Sequence, residues 1–232
     1  MTHAVTIRTP RPRRPPWRAL VACALTSSIG TTQAQPTVEL APWTGMQDQF
    51  TLSLPAGWSV LDQQEAVAGR RAPTGPPVVF SAEAIDAAAM RSGDRDALRR
   101  VIVQLAGVEV GRIPGFMLDR LPARAGMACA GFDAAAVDAL LTLMRTDPMF
   151  GRERTVRQPP QARPIDVGGC VGQRVHGQGT TATGAGKNLD VVAMSDGRVL
   201  YLFKLLNTDE HRPKNLPLFE HVLSTVQLAR RD

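Results

Sequence analysis

Alternating hydrophobic and polar residues predict strands in the first part of the chain. Residues 50–54, Phe-Thr-Leu-Ser-Leu, alternate strictly, as expected of a strand with one buried face. The following Pro55-Ala56-Gly57-Trp58 predicts a turn, and a second short strand runs through Val60, so we expect an antiparallel hairpin here. Residues 73–77 predict a loop because they combine Pro and Gly, and residues 78–80 predict a third strand.

Hydrophobic residues at helical spacing predict two helices in the middle of the chain. The first begins after Asp94 as its cap and ends at Gly107. Its apolar stripe consists of Leu98, Val101, Ile102 and Leu105. The second begins near Asp133 and ends before Asp147-Pro148. Its stripe consists of Ala136, Val137, Leu140, Leu141 and Met144. We expect both stripes to pack into the core rather than to bind a cofactor.

The last third of the chain predicts strands over residues 170–176, 189–194 and 199–206. Asp196-Gly197 is a dipeptide typical of a two-residue type I′ turn, so the last two strands should form a hairpin. The last strand is apolar on both faces and should lie centrally in the sheet. Residues 216–223 predict an amphipathic helix and residues 226–228 a closing strand.

Residues 151–168 are rich in Arg, Pro and Gln and predict a loop, with a short strand near Thr155-Val156. The order of the elements predicts an α+β fold, in which helices flank an antiparallel sheet.

The N-terminal residues 1–34 predict a signal peptide for Sec export. Five arginines precede a short apolar run over residues 19–29, and Thr32-Gln33-Ala34 predicts cleavage after Ala34. The run is too short to span a bilayer, which takes about 20 residues, so we expect no stable membrane span. Two alternatives remain open: lipidation of Cys23 in a lipobox-like sequence, and a twin-arginine signal at Arg13-Arg14.

Loss of this segment changes the charge of the protein. The full chain of 232 residues has 27 basic and 21 acidic residues, and five arginines lie in the signal. The mature chain then has 22 basic residues and a net charge of +1, so we expect no nucleic-acid partner. We predict a single α+β domain over residues 35–232, which is long enough to bury a sizeable core.

Two cysteines remain in the mature chain, Cys129 and Cys170. An even pair in an oxidising compartment predicts a disulfide between them. The chain has no C-x-x-C motif and no histidines clustered near these cysteines, so we expect neither a redox motif nor a zinc site.

The sequence contains no recognisable catalytic motif, and we predict no catalytic, metal or cofactor-binding residues. Residues 177–187 resemble a phosphate-binding loop only superficially, because no Ser or Thr follows Lys187 and no helix begins there; we expect a flexible hairpin loop. His176 and nearby acids are the least implausible enzyme candidates, provided that two carboxylates converge on His176 in a deep pocket. His211 and His221 have no visible partner, and Asp133 and Asp138 do not share a helical face. Trp58 is expected to fill the core.

Two short motifs near the ends resemble the PsbP/DcrB-like group of small α/β domains. They are Phe50-x-Leu52-x-Leu54-Pro55-x-Gly57-Trp58 and Phe219-x-x-Val222-Leu223-Ser224-Thr225-Val226. Between these motifs the resemblance rests on topology alone. It implies an antiparallel sheet flanked by helices, in proteins that act mostly as accessory or binding proteins without a shared catalytic site. No functional residue is carried over from it.

We therefore expect a periplasmic or secreted binding or accessory protein, without a catalytic site, that contacts an envelope protein or a small ligand. The alternatives are a hydrolase-like enzyme whose site is assembled from distant residues, and a subunit of an envelope or secretion complex. A deep pocket with converging acid–base groups would favour the enzyme, whereas an exposed apolar patch would favour a partner surface.

Overall fold

The structure is a computed structural model that describes residues 39–45, 50–63, 75–146, 156–180 and 184–229. All of them belong to one compact unit, Val38–Asp232. The predicted signal peptide, with Cys23 and the cleavage site after Ala34, lies outside the described residues.

Twelve strands and four helices are formed by the described residues. The strands are β1 (Leu40–Gly45), β2 (Phe50–Pro55), β3 (Ser59–Asp62), β4 (Gly75–Ser81), β5 (Gly115–Pro122), β6 (Met127–Ala128), β7 (Gly131–Phe132), β8 (Val156–Val167), β9 (Cys170–Thr180), β10 (Gly186–Ser195), β11 (Val199–Thr208) and β12 (Gln227–Leu228). The helices are α1 (Ala89–Ser92), α2 (Arg95–Glu109), α3 (Ala134–Thr146) and α4 (Arg212–Leu223).

A seven-stranded sheet in the order β3-β4-β5-β11-β10-β9-β8 organises the fold. All its neighbouring strands are antiparallel. A second sheet of three strands has the order β1-β2-β12, and β6 and β7 form a short pair. The predicted α+β class with an antiparallel sheet is confirmed.

Strand β11 lies in the middle of the large sheet, as its two apolar faces predict, and it separates two hydrophobic cores. On one face, Leu200 and Leu202 pack with buried residues of α1, α2 and α3. On the other face, Tyr201 and Phe203 pack with β2 and α4. The second face, covered by α4, carries the candidate site.

Helix α2 begins as predicted, because the Asp94 carboxylate accepts hydrogen bonds from the N–H groups of residues 96 and 97. The helix continues past the predicted end at Gly107 to Glu109. The predicted stripe is wrong in part: Leu98 and Ile102 are exposed. The buried side is formed instead by Ala97, Val101, Gly107 and Val108. Gly107 allows a close contact on this side, because a Cβ there would lie 2.7 Å from Cδ1 of Ile113.

Helix α3 is confirmed, and three residues of its predicted stripe are buried, whereas Val137 and Leu141 are half-buried. The Asp133 carboxylate accepts a hydrogen bond from the N–H of Ala136 at 2.8 Å. Ala136, Leu140 and Met144 are buried against the first core.

The predicted hairpin of β2 and β3 is wrong. Strand β2 pairs with β1 and β12, whereas β3 pairs with β4 in the large sheet. The turn between them is present: the N–H of Trp58 donates to the carbonyl of Pro55 at 3.1 Å, and Gly57 has φ +82°. This turn carries the chain from one sheet to the other, so the strands on its two sides never meet. The predicted third strand is confirmed, although it begins at Gly75, within the predicted loop.

Strand β8 corrects the prediction of a loop over residues 151–168. Among the described strands it pairs with β9 alone, so it is an edge strand of the large sheet. Prolines are tolerated at an edge because their missing N–H groups can face away from the ladder. The register shifts twice, between Val156 and Gln158 and between Gln158 and Gln161.

The predicted hairpin of β10 and β11 is confirmed, but its turn lies one residue later than predicted. The N–H of Asp196 donates to the carbonyl of Val199 at 3.3 Å, so Gly197 and Arg198 form the two-residue loop. Gly197 has the positive φ, +89°, that the turn requires. The Asp196 carboxylate also accepts the N–H groups of Arg198 and Val199, both at 2.8 Å.

The C-terminal predictions are confirmed. Helix α4 buries Phe219, Val222 and Leu223 in the second core, and β12 pairs with β2.

Candidate functional site

The candidate site is a cavity of about 280 Å³ on the face of the large sheet that carries α4. Strands β8, β9 and β10 form its floor, and the N-terminal turn of α4 contributes to its wall. The lining residues are Gln158, Gln161, Ala162, Arg163, Arg174, His176, Asp190 and Arg212.

Asp190 is the centre of this site. Its side chain is only 2% exposed, and its side-chain partners among the described residues, Arg212 and His176, are both basic. Arg212 donates from Nε to Oδ2 at 2.9 Å and from Nη2 to Oδ1 at 3.0 Å. His176 Nδ1 lies 2.9 Å from Oδ1. Because a carboxylate only accepts, Nδ1 of His176 carries the proton in this hydrogen bond.

These contacts keep Asp190 ionised. Burial, the largest single influence, acts to raise the pKa of the Asp190 carboxyl group. The hydrogen bonds from His176 and Arg212, together with the positive charge of Arg212, outweigh burial, so the pKa lies below its ordinary value. The hydrogen bond and charge of Asp190 in turn raise the pKa of Arg212. The ion pair of Asp190 and Arg212 therefore holds the start of α4 against the sheet.

A second ion pair joins the same helix to the sheet two helical turns further along. Arg174 on β9 donates from Nη2 to Glu220 of α4 at 2.5 Å. Arg212 and Glu220 are eight residues apart, so they lie on the same side of α4. That side faces the basic and acidic groups of β9 and β10.

Arginines face each other on the outer two strands. Arg163 on β8 is the register partner of Arg174 on β9, and Gln161 is the partner of His176. Directly opposed side chains on antiparallel strands have Cβ atoms about 4.5–5.5 Å apart, and like charges at this distance destabilise the pair. Glu220 compensates Arg174. Arg163 is exposed and forms no ion pair with another described residue.

The balance of charge at the site is positive. Arg163, Arg174 and Arg212 stand against the carboxylates of Asp190 and Glu220, which leaves one positive charge in excess. The side chains of His176 and Arg212 donate hydrogen bonds to Asp190, so this carboxylate is already engaged by protein donors. The remaining polar groups at the cavity are mostly donors, namely guanidinium and amide N–H groups. Such a lining favours an anion with two or more oxygens.

The enzyme hypothesis centred on His176 required two converging carboxylates. The structure brings one carboxylate, Asp190, to His176, and Arg212 occupies both of its oxygens. A His–Asp pair is also part of nucleophilic triads, but the described residues that line the cavity include no Ser, Thr or Cys. His176 therefore lies beside Asp190 as a general base would, and none of the described lining residues is a nucleophile that it could activate.

Sequence reasoning singled out His176 but missed Asp190 and Arg212. Asp190 lies in the predicted apolar strand 189–194, and a charged residue inside such a run indicates a buried and therefore paired carboxylate. The sequence therefore does contain a signal for a buried, paired carboxylate at Asp190. It contains no signal for the partner of this carboxylate, since Arg212 lies 22 residues further along the chain.

The other candidate residues lie elsewhere. His211 precedes α4 and His221 is exposed near its end. Lys187 is buried in β10, so the predicted flexible loop is wrong there: β9 continues to Thr180 and β10 begins at Gly186. Residues 181–183 of that loop lie outside the described residues.

Asp133 caps α3, and Asp138 is exposed on the same helix. Trp58 is half-buried against the second core, with its ring 6.1 Å from that of Phe116.

A disulfide joins Cys129 and Cys170, whose Cα atoms are 4.6 Å apart. It ties the short β6–β7 turn to the start of β9. A wider cavity of about 860 Å³ lies beside it, between the glycine turn at Gly168-Gly169 and the chain around β12. Its lining mixes Asp196, Arg198 and backbone without a concentrated charge of either sign.

The described residues were also considered for a metal site and for a membrane span. No cluster of three or more His, Cys, Asp or Glu side chains is placed to hold a metal ion. None of the helices in this part of the chain has the length and apolar character needed to cross a membrane.

No protein-family model matches the chain, and no curated protein matches it in sequence. Similar solved structures include a Bacteroides thetaiotaomicron protein, with a TM-score of 0.43, 10% identity and coverage of 82% of this chain. The match spans 48%, about half, of that protein. Cyanobacterial PsbP (CyanoP) from Synechocystis has a TM-score of 0.43 and 12% identity, over 87% of this chain and 99% of its own. LpqN, involved in cell envelope biogenesis of Mycobacterium tuberculosis, has a TM-score of 0.42 and 11% identity, over 84% and 92%.

A PsbP structure is thus among the solved structures to which this chain is similar. The TM-scores lie below 0.5, and no ligand, partner or functional residue is carried over from these proteins.

Proposed function

We propose that the protein is an exported binding or accessory protein, without a catalytic site, that takes a small oxyanion, a carboxylate or phosphate group, in the cavity between α4 and strands β8–β10. One observation carries this proposal: Arg163 and Arg174 face each other across two strands at the edge of a cavity that Arg212 and His176 also line. Glu220 compensates the charge of Arg174, whereas Arg163 has no ion-pair partner among the described residues, and an oxyanion bound between the two guanidinium groups would compensate this remaining positive charge.

The size of the cavity limits the ligand. About 280 Å³ is at the lower end of small-molecule sites, so the ligand is a small anion or the charged group of a larger molecule. Arginine side chains bind carboxylate and phosphate oxygens through two parallel hydrogen bonds, and Gln158 and Gln161 add amide donors. Asp190 repels such a ligand little because Arg212 neutralises its charge.

Binding is favoured over catalysis by the chemistry of the same groups. His176 is held by Asp190, but the lining described above offers it no hydroxyl or thiol to deprotonate. Arg212 and Arg174 already form ion pairs that fix α4, which suits a rigid binding site.

Export is the second part of the proposal: cleavage after Ala34 releases a mature domain of residues 35–232 into the periplasm or the medium. The Cys129–Cys170 disulfide supports this, since disulfides persist in oxidising compartments. N-terminal sequencing of protein recovered from the cell envelope should give Gln35 as the first residue. A chain that begins at Met1 and stays in the cytosol would refute export.

Ligand binding is tested by calorimetry with inorganic phosphate and with succinate, at constant ionic strength. The key variant is Arg163→Gln, which removes one guanidinium that forms no ion pair with another described residue and so leaves the fold intact. A charge-assisted hydrogen bond contributes about 1.5–3 kcal/mol, so binding should weaken about tenfold or more.

Arg145→Gln is the matched control, because Arg145 is exposed at the end of α3, away from the cavity. It should bind as the natural protein does. No heat with either anion at concentrations of about 10 mM, where even a millimolar dissociation constant would be detected, overturns the proposal. Equal binding by the two variants also overturns it.

A further inference from the structure

Helix α2 presents hydrophobic side chains to solvent on a side that the fold does not use. Ile102 is 57% exposed and Leu98 is 42% exposed, while the opposite side of the helix is buried through Ala97, Val101 and Val108. Leu98 and Ile102 are four residues apart and therefore adjacent on one side of the helix. The apolar stripe of the sequence predicts that both side chains are buried, so their exposure needs another explanation.

Charged residues of opposite sign stand at the two ends of this apolar strip. Arg95 lies seven residues before Ile102 and Glu109 lies seven residues after it. Seven residues make nearly two helical turns, so the three side chains lie almost on one line, each step about 10 Å long. Arg95 and Glu109 are thus about 21 Å apart and cannot pair with each other within one helix.

Neither end of the strip is neutralised by the fold. Arg95 is exposed and Glu109 is half-exposed, and neither forms an ion pair with another described residue. The strip therefore consists of a basic end, an apolar centre and an acidic end.

This order is self-complementary. If a second helix of the same kind crosses in the antiparallel direction at Ile102, each Arg95 meets the other chain's Glu109. The same two-fold operation places Leu98 against Ala106 of the other chain, and Ile102 against its own copy. We propose that α2 is a homodimer interface, with the two-fold axis passing close to Ile102.

The charges favour a second copy of the chain over a membrane surface. An anionic membrane would attract Arg95 and Arg99 but would repel Glu109 and Asp96 on the outward part of the same helix. A two-fold contact uses both signs, because residue i meets residue j on the partner and j meets i.

The first test is sedimentation velocity of the protein expressed from the full chain, over a range of concentrations. A monomer–dimer equilibrium is expected, and Ile102→Ser should weaken it about tenfold or more, because it removes the apolar centre that both copies share. Val103→Ser is the matched control: Val103 is 53% exposed on the same helix but points away from the strip. Monomers at every concentration, or equal effects of the two substitutions, overturn the proposal.

The second test uses charge reversal. In a dimer of Arg95→Glu chains, two glutamates would meet at each end of the interface. In a dimer of Glu109→Arg chains, two arginines would meet there. Because like charges repel, each variant alone should be monomeric. An equimolar mixture restores an opposite-charge pair at both ends and should dimerise. A mixture that stays monomeric refutes the antiparallel register. Vesicles of anionic and of neutral lipid provide the membrane comparison, and binding to anionic vesicles without self-association would also overturn the dimer.

Discussion

The substitution Asp190→Asn tests the ion-pair network on which the candidate site is built. The change keeps the shape of the side chain and removes its charge. Asp190 is 2% exposed and accepts two hydrogen bonds from Arg212 and one from His176. Breaking a buried ion pair by altering one partner costs about 3–5 kcal/mol. Because the Arg212 side chain is 29% exposed and water can reach it, we expect the lower value, about 3 kcal/mol.

The pH dependence gives this prediction a second, independent signature. The folded-state pKa of Asp190 lies below its ordinary value, so the stability that its charge provides is complete above about pH 4 and is lost as the pH falls through the folded-state pKa. Asparagine does not titrate. The difference in unfolding free energy between the natural protein and the variant should therefore be largest at neutral pH and should shrink in acid.

Urea unfolding followed by circular dichroism at pH 7, 5, 4 and 3 measures this difference, with the slope m checked for constancy. Asp138→Asn, on an exposed carboxylate of α3, is the control and should change the unfolding free energy by less than about 0.5 kcal/mol. A cost for Asp190→Asn below about 1 kcal/mol, or one that does not change with pH, would refute the assignment of a buried ion pair.

Three further predictions concern the stability of the fold around the site. Replacing Cys129 and Cys170 together by alanine should lower the unfolding free energy by up to about 4 kcal/mol, as measured in urea, because the disulfide closes a 41-residue separation; no loss would mean that the bridge is absent. Asp94→Ala should cost about 1 kcal/mol through loss of the α2 cap, with near-zero loss contradicting it. Gly111→Ala should cost more than 1 kcal/mol in thermal unfolding, because φ is +77° and the new Cβ would lie 2.0 Å from Asn207 Oδ1; unchanged melting would contradict the packing there.

The elements that the sequence predicts well are those whose pattern is determined locally. Strand β11 is apolar on both faces, and its central position follows directly. The caps at Asp94 and Asp133 depend on one side chain and the next few N–H groups. Strand β8 has neither alternating apolar and polar residues nor high strand propensity. It forms because its backbone pairs with the edge strand β9.

The prediction of a β2–β3 hairpin is wrong for a related reason. The sequence locates the turn at Gly57 but carries no local signal for the sheet that each flanking strand joins. Partner choice depends on long-range packing of β2 against the second core, through Phe50 and Leu52.

The contacts within the candidate site also depend on long-range packing, which local sequence patterns do not predict. His176 and Asp190 could each be noticed in the sequence, the second as a charge in an apolar strand. Their contact arises from the β9–β10 register, and Arg212 reaches Asp190 only because α4 folds back over the sheet. Likewise, the pairing of Arg163 with Arg174 depends on the register of a strand that the sequence did not predict. A charge cluster assembled from three strands and a helix has no counterpart in local spacing.

Titration of isotope-labelled protein with phosphate and with succinate, followed by NMR, tests oxyanion binding most directly. The account predicts saturable shifts of the Arg163 and Arg174 side-chain N–H signals and of the His176 ring, with the signals of α3 unchanged. Saturable shifts confined to other parts of the protein, or no shifts with either anion, would contradict it.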